Sequence, residues 1–421
     1  MTLWLFQYTR SDVTKFDVTK QLISTDASVK WHTSYYWCMS LFDIQAPPIE
    51  RPDVFDHEFV PEPLPVREED FTQVQDYIRN AISSGGGVIL LRGPPGTGKT
   101  TIVRRVIDSD CENTPNDWIY FEANPENSSY RELIRFVNAL RSGPSLGKTG
   151  YSRDTIQTEL ERELSTIVNP VGIALDAVTA STHEELIQLL LLSANGHSDL
   201  SIPVVITTRT EMSHFVPQEF QIGKIVLSYS INELMEILEH LMDKGCDPDQ
   251  ISPEVVPLCA AYGLERDDFA HGMIDVFKRS LETAQEGNSS EITGDHVEEA
   301  KRKIETTELK SRIRLLDDHA ILVLHAMRSL SAENQDSAVS EQVWTEYDDH
   351  CSRVSVNSLS KRRFHDRLQT LHDSGFLTHT TVNEGRKGGR YREYSLAVSP
   401  ERLQRIVKDV TNFPVVNREV Q

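Results

Sequence analysis

The chain has 421 residues, 43 Lys/Arg against 64 Asp/Glu, a formal net charge of −21 and 38% hydrophobic residues, the balance of a soluble globular protein with room for two or three cored domains. No run approaches the roughly 18 consecutive apolar residues of a membrane span. The five cysteines (Cys38, Cys111, Cys246, Cys259, Cys351) are scattered without CxxC spacing, which argues against a disulfide framework or a zinc site.

Residues 1–38 are compositionally foreign to the rest of the chain, slightly basic and carrying Trp4, Trp31 and Trp37. "MSLFDIQAPP" reads as a natural start at Met39, so translation is expected to begin there, with a variable capping segment as the alternative. The first residues lack the apolar region and cleavage site of a signal peptide, and the chain is expected in the cytoplasm, at the nucleoid. A Pro-rich linker, "APPIERPDVFDHEFVPEPLPVREED", precedes a helix from about Phe71. The runs "VILLRG", "WIYFEA", "VGIALD" and "IPVVITT" read as buried strands separated by helices, which predicts a parallel α/β sheet. From about Ser230 the apolar residues recur at helical spacing only, predicting a helical domain to about residue 310.

"GPPGTGKT" after the first strand is a phosphate loop in its required strand–helix context. The amides of Gly93, Pro94, Pro95, Gly96, Thr97, Gly98, Lys99, Thr100 and Thr101 include those that cradle phosphates (the prolines contribute turn geometry only). Lys99 reaches the β and γ oxygens and the Thr100 hydroxyl ligates magnesium. Asp176, at the end of "VGIALD", stands where a second magnesium-orienting group belongs. Ala177 follows it in place of the glutamate that polarises an attacking water, and alanine can neither accept nor orient a proton. Hydrolysis is therefore expected to be very slow.

The segment from Arg353 to Tyr394 holds nine Lys/Arg against four Asp/Glu, a positive island in an acidic chain. The acidic remainder suits a salt-loving organism or a partner-repelling surface. Phe364, Leu368 and Leu371 share one helical face, with Arg363 and Arg367 beside it. The strands "FLTHTTV" and "YREYSLAV" flank "NEGRKGGR", which predicts the recognition helix and wing of a winged-helix domain on duplex DNA. Lys361, Arg362, Arg363 and Arg367 on the helix, with Arg386, Lys387, Arg390 and Arg392 on the wing, are the candidate DNA contacts.

In this order the parts resemble the archaeal origin-recognition and cell-division-control initiator family, AAA+ proteins similar to eukaryotic origin-recognition subunits. "LSKRRFHDRLQTLHDSGFL" and "GRKGGRYREYSL" carry the likeness most specifically, and it covers about residues 53–400. It implies a 53–228 AAA+ nucleotide-binding domain, a 229–310 helical lid and a 311–400 winged helix, between an extension (1–52) and a tail (401–421). By the same likeness Val60, Pro61 and Arg67 are candidate base contacts from "FVPEPLPVREED", and Tyr229 and Ile237 from "LSYSINELMEIL". Sensor 1, usually asparagine, falls on Thr208, and His271 in "DFAH" replaces the sensor 2 arginine. "EMSHFVPQEFQIGKI" lacks the finger arginine.

The expected protein is an initiator of origin-recognition or helicase-loading type that binds ATP/ADP with Mg²⁺ and double-stranded origin DNA, ATP serving as a conformational switch. Its partners would be a replicative helicase or initiator paralogues, with no membrane. One alternative is a hydrolysing helicase loader whose base is Glu184 or Glu185. The other is a non-replicative DNA-binding regulator.

Overall fold

The computed structural model describes residues 51–410 apart from 85, 114–116, 142, 167–170, 196–201, 219, 333–336 and 384–389. The expected start at Met39 lies outside the described residues. The chain divides after Glu298 into two compact units.

In chain order the first unit contains α1 (Glu68–Ser84), β1 (Gly87–Arg92), α2 (Lys99–Asn113), β2 (Asp117–Glu122), α3 (Ser129–Leu140), α4 (Arg153–Ser165), β3 (Val171–Val178), α5 (Ala180–Asn195), β4 (Pro203–Thr208), β5 (Ile222–Val226), α6 (Ile231–Gly245), α7 (Val255–Glu265) and α8 (Phe269–Glu286). α9 (Gly294–Arg314) carries the chain into the second unit. That unit holds α10 (Asp318–Ala332), β6 (Ala338–Val339), α11 (Ser340–Arg353), α12 (Lys361–Asp373), β7 (Leu377–Asn383), β8 (Arg390–Leu396) and α13 (Pro400–Val410).

The five strands of the first unit form one parallel sheet in the order β2-β3-β4-β1-β5. β1 and β4 lie inside it, and their apolar stretches 88–91 and 204–206 are buried because helices cover both faces. Phe136, Ile156, Leu160, Leu186 and Leu190 of α3, α4 and α5 pack on one face. Val74, Ile78, Ile102 and Val106 of α1 and α2 pack on the other. The four expected strands are present. The fifth, β5, runs through the stretch searched for a finger arginine, where five residues are too few to show a period.

α6 to α8 form a helical lid. α6 starts at Ser230, whose hydroxyl accepts from the Glu233 amide while the Glu233 carboxylate takes the Ser230 amide, a capping box written in "SINE". The linker ahead of the core is part of this lid. Val54 and Phe55 are buried, the Phe55 ring lies 5.1 Å from Phe277 of α8, and the Arg51 amide donates to the Gly245 carbonyl of α6 at 3.2 Å. Gly245 is required at that crossing, since a Cβ there would stand 2.6 Å from the Phe55 ring.

In the second unit α10, α11 and α12 pack against an antiparallel sheet ordered β6-β8-β7, the winged-helix arrangement. The expected tail departs from its reading. α13 occupies its first part and buries Leu403, Ile406 and Val407 in this unit's core, a helical spacing over too short a run to stand out. Among the described residues no helix is long and apolar enough to cross a membrane.

Candidate functional site

At the C-terminal ends of β1, β3 and β4, where ligands of parallel sheets bind, the phosphate loop, Asp176 and the two β4 threonines come together. Gly96 and Gly98 have φ of +69° and +81°, the left-handed region that glycine enters without penalty. A Cβ on Gly96 would lie 1.8 Å from the Asp268 carbonyl oxygen of the lid, and one on Gly98 2.8 Å from the Tyr229 hydroxyl. Lys99 lies folded over the loop, donating to the carbonyls of Gly93 (2.9 Å) and Pro94 (2.5 Å). Burial lowers its ammonium to about 8, against the opposing pull of Asp176.

Asp176 is 4% exposed and its carboxylate is surrounded by donors. The Thr100 hydroxyl donates at 2.9 Å, the Tyr120 hydroxyl at 2.6 Å and the Ala177 amide at 3.0 Å, joined by the Thr207 hydroxyl. Burial, then the charge of Asp176, push the Tyr120 phenol up, so it stays a donor. Tyr120 and Thr207 were not legible as site residues. Tyr120 sits inside an ordinary strand, and only the doubled threonine ending β4 hinted at Thr207.

Thr208 ends β4, and its hydroxyl is engaged by the backbone of its own turn. Its buried hydroxyl donates to the Thr210 carbonyl at 3.3 Å and accepts from the Thr210 amide at 3.2 Å, closing its own turn. Ala177 sits at a register shift of β3 with φ +57°, and its exposed methyl brings no carboxylate. The two candidate substitute bases are engaged elsewhere. Glu184 accepts from Gln188 at 3.1 Å, and Glu185 pairs with Arg153 at 2.6 Å and accepts from Ser129 at 3.2 Å.

A cleft opens beside the loop between core and lid. Pro61, Arg67, Tyr229, Ile237 and His271 line it, with Gly96, Gly98 and Thr101 of the loop and helix. Val60 instead packs against the apolar cluster under β1, because the alternation of "FVP" turns it inward. The Arg67 guanidinium lies 3.9 Å over the Tyr229 ring, bonded to Asp70 at 2.8 Å and to the Ser228 carbonyl at 2.5 Å. It is thus a wall of the cleft. Val54, His57 and Phe59 complete the lining from the linker, which sequence reasoning had passed over. His57 packs edge-on to His271 at 4.6 Å and bonds Asp275 at 2.9 Å. That bond raises the pKa of His57, while burial, then the charge of His57, lower that of His271.

These groups fit a magnesium nucleotide. The glycines leave a backbone cradle that a Cβ would fill, and Thr100 with Asp176 offers a hydroxyl and a carboxylate at the head of α2. Magnesium of this kind is held by one or two protein groups and by phosphates.

On the second unit the candidate cations separate into two kinds. Lys361 pairs with Glu341 at 2.8 Å and Arg367 with Asp317 at 2.6 Å, while Arg392 reaches Gln369 at 3.4 Å. Arg362 and Arg363 are exposed and engage no ion pair among the described residues. Arg386 and Lys387 lie outside the described residues, as does the side chain of Arg390.

Three family models match in chain order: an AAA ATPase domain over residues 63–207, a Cdc6 AAA+ ATPase-type lid domain over 235–302 and a CDC6 C-terminal winged helix domain over 311–405. The chain is 28% identical over 378 residues to ORC1-type DNA replication protein 11 of Haloarcula marismortui, covering 85% of this chain and 91% of the relative. It is 26% identical over 388 residues to ORC1-type DNA replication protein 1 of Archaeoglobus fulgidus, covering 88% and 94%. In fold it is similar to the Aeropyrum pernix ORC1 protein solved in complex with DNA, with a TM-score of 0.71 and 22% identity over 86% of this chain and 97% of that one.

Proposed function

Because the chain belongs to the ORC1/Cdc6-type family of AAA+ replication initiators, we propose that it binds duplex DNA under the control of ATP, which acts mainly as a conformational ligand. One observation carries this reading. The phosphate loop, Lys99, Thr100 and Asp176 come together at the sheet's C-terminal edge, and the residue after Asp176 is an exposed alanine with left-handed backbone at the irregularity in β3.

In this reading the loop amides and Lys99 bind the phosphates, and Pro61, Tyr229 and Ile237 hold the base. Thr100 and Asp176 hold magnesium, which supplies charge neutralisation at the β and γ oxygens. The lid closes on the same nucleotide through the turn at Asp268 and through His271. ATP shifts the lid only by as much as it prefers the closed form. With no carboxylate at 177 to orient water, the closed form persists, which suits lasting occupancy of a DNA site. Arg362 and Arg363 contact the duplex, with Arg386, Lys387, Arg390 and Arg392 as the wing. The Aeropyrum pernix ORC1 protein was solved in complex with DNA, which supports DNA as a partner; in this reading the DNA is an origin duplex in the cytoplasm, where a replicative helicase or an initiator paralogue is recruited.

The test is ATP binding and ATP turnover on one sample, with and without duplex DNA, beside Ala177→Glu. Tight binding with negligible turnover is expected. Turnover by the unchanged protein would overturn the switch reading in favour of a loader with another base.

A further inference from the structure

α12 is held along two flanks. On one, Arg392 of β8 reaches the Gln369 side chain at 3.4 Å. On the other runs the turn from α9 into α10, tied to α12 at two points. The Arg312 guanidinium donates to the Ser374 carbonyl just past the end of α12 at 3.1 Å, and Asp317 pairs with Arg367 in its middle at 2.6 Å. At 3.6 residues per turn Gln369 and Arg367 stand on opposite edges of the helix, with the core stripe of Phe364, Leu368 and Leu371 on one side and the exposed Arg362 and Arg363 on the other. The turn therefore forms a rim of the exposed face, across from β8 and the wing.

Between the two ties the chain sorts its side chains. Ile313 enters the core of the unit and Leu316 packs against it. Arg314 and Leu315 remain outside. Arg314 is exposed and engages no hydrogen bond or ion pair among the described residues. Leu315 is 87% exposed, the most exposed large apolar side chain described. The nearest carboxylate is spent, since Asp317 also accepts the Ala320 amide at 2.9 Å and caps α10. Asp318 lies in the first turn of α10, where the positive helix end offsets its charge.

From Leu309 to Leu316 the sequence has three cations, Lys310, Arg312 and Arg314, and no acid, in a chain of net charge −21. This second basic stretch precedes the island that starts at Arg353. An exposed leucine on its own is ordinary. One set beside an unpaired arginine, on the rim of a basic helix, matches a surface that alternates anionic phosphate with apolar sugar, and that surface is the DNA backbone.

We propose that the turn between α9 and α10 is a further DNA contact, separate from the recognition helix and the wing, in which Arg314 neutralises a backbone phosphate and Leu315 lies against the neighbouring deoxyribose. The inference rests on the duplex-binding reading above. A contact of this kind adds affinity and fixes register without reading bases. With the wing on the opposite flank, it centres α12 in the groove between two backbone contacts.

The experiment is fluorescence anisotropy of the full chain on a mixed-sequence duplex across a salt series. The proteins compared are the unchanged chain, Arg314→Ala, Arg314→Lys, Leu315→Ser and Arg405→Ala. Arg405, on α13, is an exposed arginine of the same unit without an ion pair among the described residues, and controls for the loss of one charge. Arg314→Ala is expected to lower the salt slope by about 1 and to weaken binding roughly 3- to 10-fold, while Arg314→Lys and Arg405→Ala keep the slope. Leu315→Ser is expected to weaken binding roughly 2- to 5-fold at unchanged slope, because it removes apolar contact and no charge. An unchanged slope in Arg314→Ala overturns the phosphate contact, and an equal drop in Arg405→Ala overturns it too by assigning the effect to net charge. Leu315→Ser that binds as tightly as the unchanged chain overturns the apolar contact. In each of these cases the unchanged chain still binds DNA and the wider reading stands. An unchanged chain that binds no duplex at any salt removes that reading, and this inference falls with it.

Discussion

The carbonyl oxygen of Asp268 stands 1.8 Å from where a Cβ on Gly96 would be, so the lid rests directly on the phosphate loop. The Ala270 amide reinforces the contact by donating to the Gly96 carbonyl at 3.2 Å. Gly96→Ala must therefore lift the lid as well as strain the loop. Overpacking and a left-handed alanine together predict a loss of about 2–3 kcal/mol. Thermal melts should register that loss, and proteolysis should cut faster in α7 and α8.

At Ala177 the strain runs the other way. A non-glycine residue at φ +57° gains from substitution by glycine, offset by the larger entropy of the unfolded glycine chain. Relieving the left-handed turn by Ala177→Gly is expected to leave stability level or raise it by about 0.5 kcal/mol. Denaturant melts decide this, and a loss above about 1 kcal/mol would show that the methyl packs usefully.

The clasp between the linker and α8 should loosen with rising pH. Hydrogen bonding to Asp275 raises His57 above the ordinary 6.5. A raised folded value means the stabilisation is complete below 6.5 and is lost as pH rises through the folded pKa. His271, lowered by burial, acts oppositely, its share being lost as pH falls. Hydrogen-exchange protection of residues 51–59, taken relative to the intrinsic base-catalysed rate, should fall as pH rises above about 6.5 in the unchanged protein, and Asp275→Asn should flatten that trend.

On the proposed DNA surface, the arginines without an ion pair among the described residues should matter more than the paired ones. Neutralising Arg362 and Arg363 together is expected to lower the salt slope of DNA binding by about 2. Lys361→Ala should change it less, since the Glu341 pair already offsets that charge. Fluorescence anisotropy across a salt series separates the two.

The phosphate-loop residues were legible because their chemistry demands a local order, with "GPPGTGKT" fixing loop and helix together, whereas the capping box in "SINE" that starts α6 emerged only from the structure. What escaped was decided across the sheet. Thr207 and Tyr120 come from different strands to one carboxylate, and only strand order places them there. Spacing along the strand locates the Thr208 hydroxyl but not the turn it closes. The linker's Val54 and Phe55 looked like two apolar residues among prolines, and their burial depends on helices far along the chain.

That last distance has a consequence for how the protein is made. Phe55 and Val54 complete a lid whose helices α6 and α8 begin at Ile231 and Phe269, so the whole α/β layer is an insertion between two parts of the lid. A ribosome adding about 5–20 residues per second delivers the segment around Phe55 roughly 10–40 s before α6 exists to receive it. The first described segment of the chain to be synthesised is thus among the last to find its place. Until then two apolar side chains wait in solvent, and their docking completes the lid only after the sheet has closed.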